Sequence, residues 1–129
     1  MNPEDFSQQT SDLLSILGNP FRIQILYEIG RGEACVCHLE QTLQKRQPYI
    51  SQHLSVLRDM GVLKTRREGR YIFYRISDLA VFELLEGAAA LQGMEPGEMP
   101  EISPSGTKMG CECPSCEEES RPVKVKELS

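Results

Sequence analysis

Long apolar runs are absent from this 129-residue chain, and nowhere do 18 apolar residues follow one another, which argues against a membrane-spanning helix. The N-terminal residues are polar and acidic, so they lack the basic and apolar regions of a secretory signal. Aromatic side chains are absent after Phe82. With 40% hydrophobic residues, the chain can bury one small core but not two. We therefore expect one cytoplasmic domain without a membrane partner.

Catalytic patterns are also missing from the sequence, since it has no Gly-rich phosphate loop, no paired catalytic carboxylates and no Ser-His-Asp set. The five cysteines are odd in number, so they cannot all pair within the chain. In a chain without an export signal, thiols are expected to stay reduced, which favours metal binding or redox sensing. The sequence therefore predicts a protein that is not an enzyme.

The charge of the chain is unevenly distributed. The net charge of -5 argues against nucleic acid, but residues 45–75 carry eight basic and two acidic side chains, a net +6. Residues 92–129 carry a net -4 and hold five of the eight prolines. We therefore expect a folded domain over residues 1–91 and a flexible acidic Cys-containing tail over residues 92–129.

Apolar spacing predicts the elements of the folded part. A first helix ends at Gly18, and Asn19 caps a second helix that starts at Pro20 and ends at Gly30. The expected elements after it are a helix over Val36–Leu43, a helix over Pro48–Met60, strands over Val62–Arg67 and Tyr71–Ile76, and a helix capped by Ser77 that reaches Leu91. The fold class is mainly α with a β-hairpin wing, in the order α-α-α-α-β-β-α.

This order is typical of a winged helix-turn-helix, in which the second helix of the pair reads DNA. Its exposed face carries short or amide-bearing side chains suited to base edges, and the hairpin carries cations suited to phosphates. Solvated polar faces are the alternative for any single residue. The predicted DNA-binding residues are Gln47, Tyr49, Ser51, Gln52, His53, Lys64, Arg66, Arg67 and Arg70.

Two groups of cysteines suggest a site for a soft ion. Cys35 and Cys37 lie at the start of the third helix. Residues two positions apart on a regular helix point to nearly opposite sides, so both thiolates can bind one ion only if the first turn is unwound or already irregular. The tail carries Cys111, Cys113 and Cys116 as a C-x-C-x-x-C cluster, and thiolates select thiophilic ions over Mg²⁺ or Ca²⁺. The alternatives are buried apolar cysteines in the helix, and a redox pair or simply exposed thiols in the tail.

The stretch from Glu33 to Arg75 resembles the ArsR/SmtB family of metal-responsive, homodimeric winged-helix repressors. The resemblance is carried by EACVCHLE, RQPYISQHLSVLRDMGVL and RREGRYIFYRIS, covers about the first 91 residues, and implies a dimer interface formed by the first and last helices. Arsenic-responsive members carry a C-V-C-x-L-C pattern at this helix. Here its last position is Glu40, and His38 stands where an Asp is frequent. The last helix has Asp78 but no histidine, so the family's zinc site there is expected to be missing.

The resemblance and the cysteines together predict a dimeric repressor that binds operator DNA without metal and dissociates when a thiophilic metal(loid) binds. As(III) or Sb(III) would bind Cys35 and Cys37 together with a tail cysteine, from within the chain or across the dimer. Cd(II), Pb(II) or Zn(II) sensing, and redox or reactive-sulfur sensing, are the alternatives. A thiol oxidoreductase using Cys113 and Cys116 is disfavoured, because the tail supplies neither helix nor sheet to activate a thiol.

Overall fold

The computed structural model describes residues 1–104 of the chain, which fold as helices around one apolar core with a small sheet at one side. The helices and strands are α1 (Pro3–Leu17), α2 (Pro20–Ile29), β1 (Glu33–Cys35), α3 (Val36–Leu43), α4 (Gln47–Asp59), β2 (Leu63–Glu68), β3 (Tyr71–Ile76), α5 (Ala80–Leu91) and a 3-10 turn over Pro96–Glu98. The predicted winged helix-turn-helix class is confirmed. The order differs from the prediction by the short strand β1.

Side-chain caps explain where α1 and α2 begin. Asn2 Oδ1 accepts hydrogen bonds from the backbone N–H groups of the first turn of α1, and Asn19 does the same for α2 at 2.9 and 3.1 Å. The expected cap at Ser77 is wrong. Asp78 Oδ1 instead accepts the Ala80 N–H at 2.9 Å, so α5 begins later than predicted.

The core ties the helix-turn-helix pair to the rest of the domain. Leu39 of α3 and both Ile50 and Leu54 of α4 are fully buried in one cluster with side chains of α2. Burying each such side chain stabilises the fold by about 1.5–3 kcal/mol. α3 and α4 are therefore held together by close-packed side chains.

The sheet is antiparallel, with β3 between β1 and β2. The hairpin of β2 and β3 is the predicted wing. The strand β1 places Cys35 opposite Phe73 of β3, so a cysteine of the sequence motif belongs to the same sheet as the wing. None of the helices within residues 1–104 is long and apolar enough to span a membrane.

A segment after α5 folds back over the domain, and we call residues 93–104 the strap. The Ser103 N–H donates to the Tyr27 carbonyl at 3.1 Å, and the Arg31 N–H donates to the Ser103 carbonyl at 2.8 Å. Ile102 packs against the core. Residues of the strap thus contact the domain beyond Leu91, where the sequence predicts the folded domain to end.

The strap approaches α2 closely at Gly30. This residue has a φ of +60°, in the region that favours glycine, and a Cβ added to it would overlap the carbonyl oxygen of Ser103. Glycine is thus required at this position both for the end of α2 and for the contact with the strap.

Candidate nucleic-acid interface and thiol site

The N-terminal half of α4 presents polar side chains to solvent. Gln47, Tyr49 and Gln52 are exposed, and Ser51 is half-buried and accepts a hydrogen bond from Gln47 Nε2 at 2.9 Å. Lys45 and Arg46, in the turn before α4, are exposed as well. Neither residue was predicted to contact DNA, although both lie at the start of the basic stretch over residues 45–75.

His53 does not lie on this exposed face, contrary to the expectation from the sequence. Only 8% of it is exposed, and its ring packs 5.3 Å from Phe21 and 4.8 Å from Tyr49, measured between centroids. Arg22 Nε donates to His53 Nδ1 at 3.0 Å, and Arg22 also donates to the Ile16 carbonyl. His53 therefore holds α4 against α2. Its position, three residues after Ile50 and four before Leu57, already matched the buried face.

Burial, and then the charge of Arg22, lower the pKa of His53 below its ordinary value of 6.5. The neutral ring is favoured in the folded state, so its contribution to stability is complete above pH 6.5 and is lost as pH falls through the lowered pKa.

We expect His53→Gln, which retains an acceptor for Arg22, to weaken the pH dependence of stability. Urea unfolding at pH 8 and at pH 5 checks this. Between these two pH values, the free energy of unfolding should fall more in the parent than in the variant. The other histidine, His38, is common to both proteins, so their difference isolates His53. An identical pH dependence in the two proteins would contradict this role.

The wing carries the predicted cations, and all of them are exposed. Arg66 is bound by two carboxylates: its Nε and Nη2 lie 2.9–3.0 Å from Glu33, and its Nη1 lies 2.9 Å from Glu68. These hydrogen bonds, chiefly the one to Glu33, raise the pKa of Arg66. Its guanidinium also stacks 4.5 Å from the Phe73 ring centroid. Arg66 thus ties the wing to β1.

Arg67 and Lys64 differ from Arg66, because their side chains form no hydrogen bond or ion pair with any residue in the range 1–104. Arg70, at the tip of the hairpin, donates to the Tyr71 hydroxyl at 3.2 Å. Within the described residues, the charges of Lys64 and Arg67 are therefore not neutralised by a carboxylate, unlike that of Arg66.

We expect Arg67→Ala to weaken DNA binding across sequences and to reduce the salt slope by about 1, as for a lost phosphate contact. Arg66→Ala is the matched control, since it removes the same charge one residue away, and it should change the slope less because Glu33 and Glu68 already neutralise Arg66. Fluorescence anisotropy at several salt concentrations measures both. Equal slopes for the two variants would contradict the assignment.

Cys35 and Cys37 meet at the junction of β1 and α3. Cys35 is the last residue of β1 and the extended N-cap of α3, with φ -92° and ψ 170°, while Cys37 is in the first helical turn. Their Sγ atoms lie 2.8 Å apart. The irregular geometry that the sequence required is thus present at the junction, and no unwinding of the helix is needed to bring the sulfurs together.

The surroundings of the two sulfurs differ. Cys35 is 2% exposed and clusters with Phe73, with Tyr71 and Cys37 at the edge of the cluster. Cys37 is half-buried and lines a surface cleft together with Glu40 and the turn residues Lys45 and Arg46. A ligand can therefore reach the pair through Cys37, next to the turn of the helix-turn-helix.

Other donors near the pair are poorly suited to a soft ion. His38 is buried, and its Nε2 lies 3.2 Å from Glu28 Oε2, while Glu40 offers a hard oxygen. Within residues 1–104, no group of three or more His, Cys, Asp or Glu side chains is arranged to hold a metal ion. The predicted ligands Cys111, Cys113 and Cys116 lie outside the described residues.

Comparison with known proteins connects this geometry to a family. Residues 19–65 match the family model described as bacterial regulatory protein, arsR family. The biofilm growth-associated repressor of Agrobacterium fabrum is 38% identical over 88 residues, which cover 68% of this chain and 75% of that protein. The arsenical resistance operon repressor of Escherichia coli is 41% identical over 66 residues, or 50% of this chain and 56% of that protein.

A solved structure agrees with these relatives. Reduced HlyU from Vibrio cholerae is similar with a TM-score of 0.61 and 33% identity, over 70% of this chain and 96% of that one. The matched region contains the thiol pair, α4 as the second helix of the helix-turn-helix, and the start of the wing. This chain therefore belongs to the ArsR/SmtB family of winged helix-turn-helix transcriptional repressors.

Proposed function

We propose that this protein is a cytoplasmic, homodimeric repressor that binds operator DNA in the absence of its inducer and dissociates when a thiophilic metal(loid) binds Cys35, Cys37 and tail cysteines. As(III) or Sb(III) is the proposed inducer. The observation that carries the proposal is the contact of two sulfurs at the start of α3, which packs against α4, the proposed recognition helix. An ion bound there touches an element that positions the DNA-reading residues.

The donor set supports a thiophilic ion of low coordination number. Thiolate sulfur is a soft ligand, so the pair selects soft ions over Mg²⁺ or Ca²⁺. Two cysteines from the domain and one from the tail complete three thiolates. The Escherichia coli relative, an arsenical resistance operon repressor, supports the same choice.

A dimer would cover apolar surface on α1 and α5. A cleft of about 350 Å³ lies between these helices and is lined by Leu13, Leu17, Val81 and Leu84 among others. Phe6 and Leu91 are 60% and 91% exposed. Exposed apolar side chains on two adjacent helices are typical of an interface. Sedimentation of the purified protein tests this part of the proposal.

Thiol oxidation or sulfuration of the same pair is a second candidate function. Two sulfurs in contact can be linked by an oxidant or by a reactive sulfur species, and Lys45 and Arg46 supply positive charge in the cleft that Cys37 lines. The relative HlyU was solved in a form described as reduced. This function would require that an oxidant alone release the DNA.

The experiment that separates these functions is a parallel titration of the reduced protein bound to labelled operator DNA. As(III), Cd(II), Zn(II) and an oxidant are each added under the same conditions. Release by As(III) at the lowest concentration supports the proposal, release by Cd(II) or Zn(II) supports a four-thiolate site, and release only by oxidant supports the second candidate. No release by any of them would contradict sensing at this site.

A further inference from the structure

The side chains that hold His53 in place also hold a residue on the exposed face of α4. We infer that Arg22 is a positioning residue for DNA binding, because through His53 it fixes the ring of Tyr49 at the start of α4. The inference rests on the proposed function, in which α4 reads the operator. It adds to that function a residue of α2 that acts on DNA binding through another side chain.

Two buried rings hold the ring of Tyr49. Phe21 and His53 are each 8% exposed, and their centroids lie 5.0 Å and 4.8 Å from that of Tyr49. Phe21 and His53 also contact each other, with centroids 5.3 Å apart. The rings are tilted or edge-to-face, which are favourable arrangements for aromatic side chains. Three rings in mutual contact therefore restrict how the ring of Tyr49 tilts against α4.

Arg22 sets the orientation of the His53 ring. Its Nε donates to His53 Nδ1 at 3.0 Å, and its Nη1 donates to the Ile16 carbonyl at 3.1 Å. Both bonds come from one planar guanidinium, so a rigid group in α2 connects the end of α1 to α4. The last torsion of a histidine side chain has broad preferences, so this hydrogen bond selects one orientation of the ring. The ring that faces Tyr49 is thus fixed by Arg22.

The part of Tyr49 that these contacts leave exposed is suited to DNA. The residue is 43% exposed, and its hydroxyl forms no hydrogen bond with any residue in the range 1–104. Lys45 Nζ lies 5.9 Å from the ring centroid, so a cation accompanies the ring on this surface. Tyrosine hydroxyls and lysines are both common partners of phosphate oxygens. A ring held in one orientation also loses less conformational entropy when DNA binds.

Arg22 is itself a cation, but two of its nitrogens are bonded within the protein. Nε and Nη1 donate to groups of α4 and α1, and the residue is only half-buried by these contacts. A phosphate contact contributes about 1 to the salt slope of DNA binding, whereas a positioning residue contributes nothing to it. We therefore expect Arg22→Gln to weaken operator binding at every salt concentration and to leave the salt slope unchanged.

A double-mutant cycle on operator affinity tests the inference. Tyr49→Phe removes the hydroxyl and keeps the ring, and Arg22→Gln removes the guanidinium. We expect each single variant to bind operator about 5- to 20-fold more weakly, within the range of one lost contact. When Arg22→Gln is already present, Tyr49→Phe should cost less than about 2-fold, because side chains that act through one another have non-additive effects.

Arg58→Gln is the matched control for the cycle. It removes an exposed cation of the same helix, nine residues after Tyr49, so its effect should add to that of Tyr49→Phe. Fluorescence anisotropy at several salt concentrations gives both the affinities and the salt slopes. If Arg22→Gln fails to fold, Phe21→Leu replaces it, since it removes a ring from the same contact and keeps an apolar side chain. The same reduced cost of Tyr49→Phe is expected in that background.

The outcomes separate the inference from the proposed function. A cost of Tyr49→Phe that is equal in the parent and in Arg22→Gln would overturn the inference, and so would a salt slope that falls by about 1 in Arg22→Gln. Tyr49→Phe with the operator affinity of the parent would overturn the inference and leave the repressor function intact. A parent protein that binds operator and random DNA equally would contradict the proposed function and the inference together.

Discussion

Replacing Cys37 by serine is expected to leave operator binding intact and to abolish release by arsenite. Cys37 lines the cleft through which a ligand reaches the pair. It belongs to α3 and does not lie on the exposed face of α4. Inducer coupling of about 1–3 kcal/mol corresponds to a 5- to 150-fold loss of DNA affinity, and this loss should vanish in the variant. DNA binding with and without saturating arsenite measures it.

Cys35 needs a different substitution for the same test. Its side chain is buried against Phe73, so serine would place an unpartnered hydroxyl there at a cost of about 1–3 kcal/mol. Cys35→Ala places no polar group there and loses only the packing of one sulfur atom, so it is the better counterpart. Linkage requires the two effects to be equal. The factor by which operator DNA lowers the arsenite affinity of the parent protein must be the factor by which arsenite lowers its DNA affinity. Arsenite affinity that is the same with and without operator would contradict the mechanism.

Ending the chain after Pro104 is expected to give the second large effect. The strap is retained, so folding, dimer formation and operator binding should persist, whereas arsenite binding should weaken by about 100-fold or more because the third thiolate and its tether are lost. Calorimetric or spectroscopic titration with arsenite measures the change.

The full-length chain with Cys111→Ser, Cys113→Ser and Cys116→Ser is the matched control for truncation. It keeps the length and charge of the tail, so equal losses in the two proteins assign the effect to sulfur. A truncated protein that binds and responds like the full chain would show that Cys35 and Cys37 act as a two-thiolate sensor.

The local elements of the fold were predictable because their signals are local. Asn19 and Pro20 mark the start of α2, and α3 has the predicted bounds of Val36–Leu43. The strand β1 was missed because three residues carry no alternation and its pairing partner lies about 40 residues away in sequence. The strap was missed because a Pro- and Glu-rich composition predicts disorder, while its order depends on Gly30 and Ile102.

The candidate site was predictable as a set of residue types and less so as an arrangement. The cysteine motif identified the pair, but its contact depends on the junction of a strand and a helix. The pairing of Arg66 with Glu33 joins positions 33 residues apart, and no short-range pattern indicates it. His53 was assigned to the solvent face because its residue type is polar, although its helical position was that of a core residue.

The unequal burial of the two sulfurs decides which of them can be replaced without disturbing the fold. Cys35 is enclosed by the wing strand, so a larger ligand such as histidine at that position would overpack the core, at a cost of about 1–3 kcal/mol. Cys37 faces an open cleft and tolerates a side chain of another size. A substitution is therefore accommodated more easily at Cys37 than at Cys35, whose side chain is fixed by packing against Phe73.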